Sequence, residues 1–381
     1  MKVVIAIDSF KGSMSSIEAG KSAADGIKRV FPDAQTYIRP LADGGEGTVE
    51  ALTTGCGGRL ISVEVTGPLG KPVTCQYGIV DDTKTAIIEM SAAAGITLVP
   101  ESERNPLYTT TYGVGELIKD AIANGCRHFI IGIGGSATND GGIGMLQALG
   151  FGLLDTNGNQ VCFGAEGLKH LETITDDHVI PELSECTFRI ACDVTNTLCG
   201  EQGCSAIFGP QKGATPTMII QMDKWLAYYA KLAKDKYPKA DSKHAGAGAA
   251  GGLGFAFLTF FNATLESGIK IVLEETNLAE YAKSADIVIT GEGRLDGQTV
   301  MGKAPIGVAK IAKEFNKPVL AFSGCVTKEA VLCNQEGINA FFPVLRSVVT
   351  LEEAMNTDNA MHNMADTAEQ VFRLIKTFSN R

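Results

Sequence analysis

Lys2-Val-Val-Ile-Ala-Ile-Asp-Ser-Phe-Lys-Gly-Ser13 joins an apolar run to a polar, glycine-containing loop, and its reading decides the fold class. A short continuous run of branched apolar residues suits a parallel strand buried on both faces. The helix signal follows at once. Ser15 with Glu18 three residues on forms a capping box, and Ile17, Ala24, Ile27 and Phe31 share one face before Pro32-Asp33 ends the pattern. This is a strand–loop–helix unit whose polar residues lie at the strand's carboxyl end, where open α/β sheets bind ligands. Asp8 and Ser9 are therefore candidate ligand contacts, and Lys11 is a candidate cation for an anionic group.

Further along, four glycine-rich segments carry their own acidic or amide side chains: 42–48, 132–142, 246–254 and 291–297. Two of them directly follow β-branched runs, His128–Ile133 and Asp286–Thr290. A glycine loop between strand and helix lets backbone N–H groups converge on an anion. Carboxylates beside such a loop repel bare phosphate and make sense with a divalent cation between them. Asp43, Gly44, Gly45, Glu46, Gly134, Gly135, Ser136, Asn139, Gly291 and Gly293 are the candidate substrate and phosphate contacts on this reasoning. Tight turns and close helix–sheet packing explain any one segment as well, but four segments less well.

Elsewhere the pattern alternates between two styles. Residues 59–94 read as meandering antiparallel strands, Leu60–Val65, Val73–Val80 and Thr85–Glu89, separated by turns. A helix over Gly113–Asn124 and the strand at His128 follow, then an irregular stretch with an Asp155–Gly158 turn and a strand over Phe188–Cys192. The helix around Ile219–Lys236 turns Met222, Trp225, Leu226, Tyr229 and Leu232 inward. From Gly246 the alternation is regular: strands over Ile269–Leu273, Asp286–Thr290, Val319–Phe322 and Ala340–Phe342, with helices between. The expected architecture is α/β in two domains. Residues 1–48, 95–150 and 246–381 form a Rossmann-like, doubly wound parallel-sheet domain. Residues 49–94 and 151–245 form a second, mixed α/β domain inserted discontinuously, with the site in the cleft between the two.

Composition excludes several function classes. In 381 residues the formal net charge is −10, and no basic stripe appears, so nucleic acid is not an expected partner. The ten cysteines include no C-x-x-C pair, and Cys192, Cys199 and Cys204 lack a local histidine, so they read as core or loop thiols. No apolar run reaches membrane-spanning length, and the chain enters its first strand without a leader pattern. A cytoplasmic protein, monomeric or homodimeric, is expected.

Known phosphate motifs fit poorly. Gly297-Gln-Thr-Val-Met-Gly-Lys-Ala304 approaches a Walker A loop, but Ala304 stands where the metal-binding hydroxyl belongs. Lys303 remains a candidate phosphate contact, with solvent exposure the equal alternative. Gly132-Ile-Gly134 lacks the spaced third glycine of a dinucleotide fingerprint. Asp193, opening Asp193-Val-Thr-Asn196 after a strand, can offer an oxygen to Mg²⁺ or take a proton from a substrate hydroxyl, with Thr195 and Asn196 beside it; an Asx-turn or helix cap is an equal alternative. Asp296 and Asp140 share that positional logic as metal ligands. Arg294 joins Lys11 as a cation for a small acidic substrate, so Asp193, Asp296, Lys11 and Arg294 are the candidate catalytic group.

Eight segments in chain order also carry a family resemblance. Asp8–Ser13, Ala42–Thr48, Val65–Gly70, Gly134–Gly142, Ala191–Asn196, Phe208–Gly213, Gly246–Gly254 and Thr290–Asp296 closely resemble the bacterial type I glycerate kinases, from near residue 1 to past residue 325. The resemblance implies ATP-dependent phosphorylation of D-glycerate with Mg²⁺, giving 2-phosphoglycerate, in glyoxylate, glycolate or sugar-acid catabolism. It also implies two α/β domains, one Rossmann-like. Ile7 stands where the family often has proline. Phosphorylation of the 3-hydroxyl, or of another small hydroxy acid, stays open at the level of residues. A non-catalytic anion-binding regulator would need the glycine loops but not the spare carboxylates.

Overall fold

The computed structural model describes residues 1–42, 44, 45 and 47–379. In chain order its strands are β1 (Lys2–Ile7), β2 (Gln35–Ile38), β3 (Arg59–Thr66), β4 (Pro72–Val80), β5 (Thr85–Glu89), β6 (His128–Gly132), β7 (Gly152–Leu154), β8 (Thr173–Thr175), β9 (Thr187–Ala191), β10 (Ala263–Glu266), β11 (Ile287–Leu295), β12 (Val319–Val326) and β13 (Ala340–Pro343). The chain forms two compact units: Met1–Asp43, Glu50–Gly57 and Ile269–Arg381 make the first, and Gly44–Val49 with Gly58–Gly268 the second.

The first unit holds a five-stranded, wholly parallel sheet in the order β13-β12-β11-β1-β2. Ser15 caps the helix Ser16–Val30 through the expected box with Glu18. Ala19, Ala23 and Ile27 of that helix meet Val3, Ile5 and Ile7 on one sheet face, together with Met364, Ala368 and Phe372 of the C-terminal helix. The alternate residues Val4, Ala6 and Val288 are fully buried as well, so both sheet faces are covered. Counted within this unit the strand order is 2-1-3-4-5, the flavodoxin-like version of the doubly wound fold. Its switch point lies between β1 and β11.

The second unit carries a six-stranded mixed sheet, β10-β9-β6-β5-β4-β3. The expected meander is β3-β4-β5, antiparallel, and β5, β6, β9 and β10 run parallel. Phe129, Phe188 and Phe257 are fully buried in its core, with Phe129 and Phe188 stacked at 4.7 Å. Trp225 packs against this core, as its helical spacing predicts. Among the described residues no helix is long and apolar enough to cross a membrane.

Three expectations need correction. Residues 44–48, 95–150 and 246–268 fall in the second unit and residues 50–57 in the first; β6 pairs with β5 and β9, and β10 pairs with β9, rather than with β1 or β11. A buried parallel strand looks alike in either sheet, and the pairing partner is a tertiary choice. Ile269–Leu273 is not a strand but part of the helix Gly268–Glu275. Five apolar-rich residues fit both periods, and here Lys270 and Glu274 pair one turn apart on the exposed side. Finally, β11 runs through Leu295, so Gly291, Glu292, Gly293 and Arg294 lie in a strand and not in a loop. A Cβ at Gly291 would stand 2.0 Å from the Phe322 carbonyl oxygen of β12, so glycine there serves strand approach.

Candidate active site

In the first unit the polar residues gather at the switch point. The Asp8 amide donates to the Gly291 carbonyl (2.9 Å), extending the β1–β11 pairing by one residue. The following loop is a closed turn: Phe10 bridges to Met14, and the Ser16 hydroxyl donates to the Ile7 carbonyl (2.6 Å) while accepting from Leu41 N–H. Asp8 is thereby buried, with one carboxylate oxygen accepting from Ser9 N–H (2.7 Å), while Lys11 is exposed on the same turn. Across from it on β11, Glu292 is nearly buried and accepts from Thr299 Oγ1 (2.6 Å), with Lys303 Nζ 3.8 Å from its other oxygen. Burial pushes the Glu292 carboxyl above its usual range; Thr299 and Lys303 oppose this, and the charges of Asp8 and Asp296 reinforce it. Glu292 is thus a buried carboxylate facing the Lys303 ammonium, with the charges of Asp8 and Asp296 nearby. Lys303 occupies the N-cap position of the helix Ala304–Glu314 without a side-chain capping bond, and Pro305 lies in the first turn as expected.

Asp296 is differently engaged. One oxygen accepts from Gln298 N–H (2.9 Å), an Asx-type turn, and the other lies 3.3 Å from Arg294 Nε. Arg294 is itself largely exposed. The turn that was the alternative for such aspartates is the arrangement found at Asp296.

In the second unit the candidates collect at the carboxyl ends of β6 and β9. A Cβ at Gly132 would stand 2.3 Å from the Gly44 carbonyl oxygen, and one at Gly44 would stand 2.8 Å from the Ala191 side chain. Only two bare backbones allow the segment around Gly44-Gly45 to lie directly on the end of the sheet. Val49 N–H donates to Glu89 at the end of β5 (2.9 Å), tying down the same segment. Gly134 and Gly135 are exposed beside it, and Ser136 is buried behind them. Asp193 is exposed after β9, with one oxygen accepting from Gly268 N–H (3.3 Å). Thr195 is exposed, and Asn196 is drawn into the loop by donating to the Gln202 carbonyl (2.9 Å). Asp43 and Glu46 lie outside the described residues.

Two candidates in this unit are fully buried. Asp140 is fully buried; one oxygen accepts from Thr111 N–H (2.9 Å) and Thr111 Oγ1 (2.8 Å), the other from Gly142 N–H (3.0 Å). Metal coordination at Asp140 is therefore withdrawn: its lone pairs hold two loops together. Asn139 is likewise buried and donates to Ser205 Oγ (2.8 Å).

Lys212 and Glu292 escaped the reading of the sequence as site residues. Glu292 had a signal, since it stands between two glycines. Lys212 had only its place in the family-resembling segment Phe208–Gly213, where no role was attached to it. Yet it is 2 % exposed, and its Nζ donates to Ser136 Oγ (2.7 Å) and the Thr138 carbonyl (2.6 Å). Burial pushes its ammonium down to about 8, against the pull of Cys204 and Asp140. In the unfolded chain Lys212 titrates near 10.5, so between these values the unfolded state binds more protons and stability rises with pH. Lys212→Met should abolish that rise. Urea unfolding at about pH 7.5 and about pH 10 should show wild type gaining on the variant at the higher pH; equal differences at both would place the folded and unfolded pKa together.

Comparison with known proteins agrees with this architecture. A family model described as "Glycerate kinase family" matches residues 3–376. The chain is 49 % identical over 375 residues to the "Glycerate kinase" of Haemophilus influenzae, covering 98 % of this chain and 99 % of the relative. It is 49 % identical over 373 residues to the "Glycerate 2-kinase" of Escherichia coli, covering 96 % and 98 %. A crystal structure assigned to a candidate glycerate kinase 2 from Salmonella typhimurium LT2 superposes with a TM-score of 0.92 at 48 % identity, covering 100 % of both chains. Matches of this length and depth, over a doubly wound sheet with acidic groups at its switch point, establish that the chain belongs to the glycerate kinase family and is a kinase.

Proposed function

We propose that this kinase transfers the γ-phosphoryl group of ATP to the 2-hydroxyl of D-glycerate, giving 2-phosphoglycerate and ADP. The observation that carries the choice of hydroxyl is the near-full-length similarity to a relative named for 2-phosphorylation. Phosphoryl transfer asks for little covalent chemistry from a protein; it needs charge stabilisation, alignment and a place for the acceptor's proton. Asp193, exposed and oriented by Gly268 N–H, suits proton acceptance from the glycerate hydroxyl. Gly134, Gly135 and Ser136 offer backbone and hydroxyl donors to anionic oxygens. Lys11, Arg294 and Lys303 supply positive charge for phosphate or the glycerate carboxylate.

Mg²⁺ fits the donor set of the first unit. Among the described residues no three metal-ligating side chains form a complete cage. Mg²⁺ does not require one, since it commonly takes one or two carboxylates and completes its shell with phosphates and water. Glu292, raised by its burial and by neighbouring carboxylates, and Asp8 would hold the ion. When bound it neutralises charge on the transferring phosphates. Asp296, committed to its own turn, would then shape the loop. The reading extends to a cytoplasmic enzyme of glyoxylate, glycolate or sugar-acid catabolism.

Phosphorus NMR of a reaction containing D-glycerate, ATP and Mg²⁺ tests this in one measurement. The expected product is the secondary phosphate ester at C2, formed only when all three components are present. A primary ester would move the transfer to the 3-hydroxyl, and glycerate-independent ATP hydrolysis would remove the assignment.

A further inference from the structure

Lys212 is among the largest fully buried side chains, and its hydrogen bonds go to two neutral oxygens, Ser136 Oγ and the Thr138 carbonyl. An ammonium taken out of water without a counter-ion is costly, and replacing buried charge with apolar volume is often neutral or stabilising. Stability is therefore a poor account of Lys212. Its contacts suggest a better one. The two oxygens it reaches, Ser136 Oγ and the Thr138 carbonyl, belong to the strand-end segment that exposes Gly134 and Gly135.

The chemistry at Ser136 is directional. A protonated lysine has only donors, so Ser136 Oγ must accept from it. The serine keeps its own hydroxyl hydrogen, and no described residue is seen to take it. The rest of the segment is pinned: Ala137 N–H donates to the Ala94 carbonyl (2.9 Å), and Ile96 N–H donates to the Gly135 carbonyl (2.8 Å). What remains at Gly134–Ser136 is a set of donors over a buried cation, with Asp140 and Cys204 as the titratable groups around Lys212. Asp140 is already occupied by Thr111 and Gly142.

We propose that Lys212 is a positioning residue that presets the Ser136 hydroxyl as a donor to an anionic substrate oxygen bound at Gly134–Ser136. The ligand is a phosphate or carboxylate oxygen, supplied by the nucleotide or by glycerate. The inference rests on the glycerate kinase assignment, and it adds both the residue and the direction of the hydrogen bond.

The test uses Lys212→Met and Ser136→Ala in the full chain. Calorimetry measures the affinity of each for a non-hydrolysable ATP analogue with Mg²⁺ and, separately, for D-glycerate; steady-state kinetics give kcat and KM for each substrate. Both variants should weaken the same one ligand by about 10–100-fold, the scale of a lost hydrogen bond to a charged group, and leave the other within about twofold. The double variant should be no worse than the poorer single one, since both remove one donor. A weakened nucleotide identifies phosphate as the occupant, and weakened glycerate identifies carboxylate. Unchanged affinities, equal loss of both ligands, or loss of different ligands in the two variants would overturn the proposal. Should Lys212→Met not fold, Ser136→Ala, which keeps the Lys212–Thr138 bond, decides by the same criterion. Wild type that binds neither ligand would overturn the functional assignment and this inference with it, whereas normal wild-type binding with unaffected variants overturns this inference alone.

Discussion

Asp193→Asn should lower turnover by about 10²–10⁴-fold, the range for loss of a general base, with little change in thermal stability. The carboxylate is exposed, and the bond it accepts from Gly268 N–H can be kept by the asparagine carbonyl oxygen, so local geometry survives while the charge does not. Binding of glycerate and nucleotide should change much less than kcat, because a base acts on the proton in flight. Asp140→Asn supplies the opposite signature. There a buried carboxylate accepts from Thr111 and Gly142, and an amide nitrogen in place of one oxygen would face donors, costing about 1–3 kcal/mol per unsatisfied group. Chemical denaturation and steady-state kinetics on both variants separate the cases. Near-normal kcat in folded Asp193→Asn would remove the residue from proton transfer.

Glu292→Gln should cut turnover on the order of 10²-fold or more and raise the Mg²⁺ concentration needed for half-maximal rate. The same change should leave the metal-free protein as stable as wild type, or more so. The sign follows from the raised folded pKa: stability falls as the pH rises from the unfolded value through the folded one, and a neutral isostere removes that cost at neutral pH. Glutamine can still accept from Thr299 Oγ1, and the Lys303 contact that is lost is long and half exposed. A catalytic residue that destabilises its own resting state is a familiar exchange of stability for function. Rate against Mg²⁺ concentration, beside melting with and without the ion, reads both effects. Normal Mg²⁺ dependence would shift the metal-binding role away from the switch point.

What can be read along the chain follows from how far each physical cause reaches. The capping box at Ser15, the apolar face of Ser16–Val30 and the meander β3-β4-β5 rest on contacts a few residues apart, so all were legible. The eight family segments were legible for another reason: side-chain identity in order is a property of the chain whatever its folding. The strand at β6 was recognisable, but its sheet was not, because Ile130 and Ile131 satisfy β5 and β9 with the same backbone bonds they could have offered β1. Ile269–Leu273 was misread because five residues hold too little period to separate helix from strand. At the site, Asp8, Asp193 and Gly134 were singled out from their place after strands, and Gly44 from its glycine-rich segment. Glu292 and Lys212 lie in family-resembling segments, but their surroundings, like the internal bonding of Asp140, were set by burial. Local patterns specify elements, whereas desolvation, which raises one carboxylate, lowers one ammonium and locks another carboxylate among amides, is set by neighbours that arrive only when each unit packs.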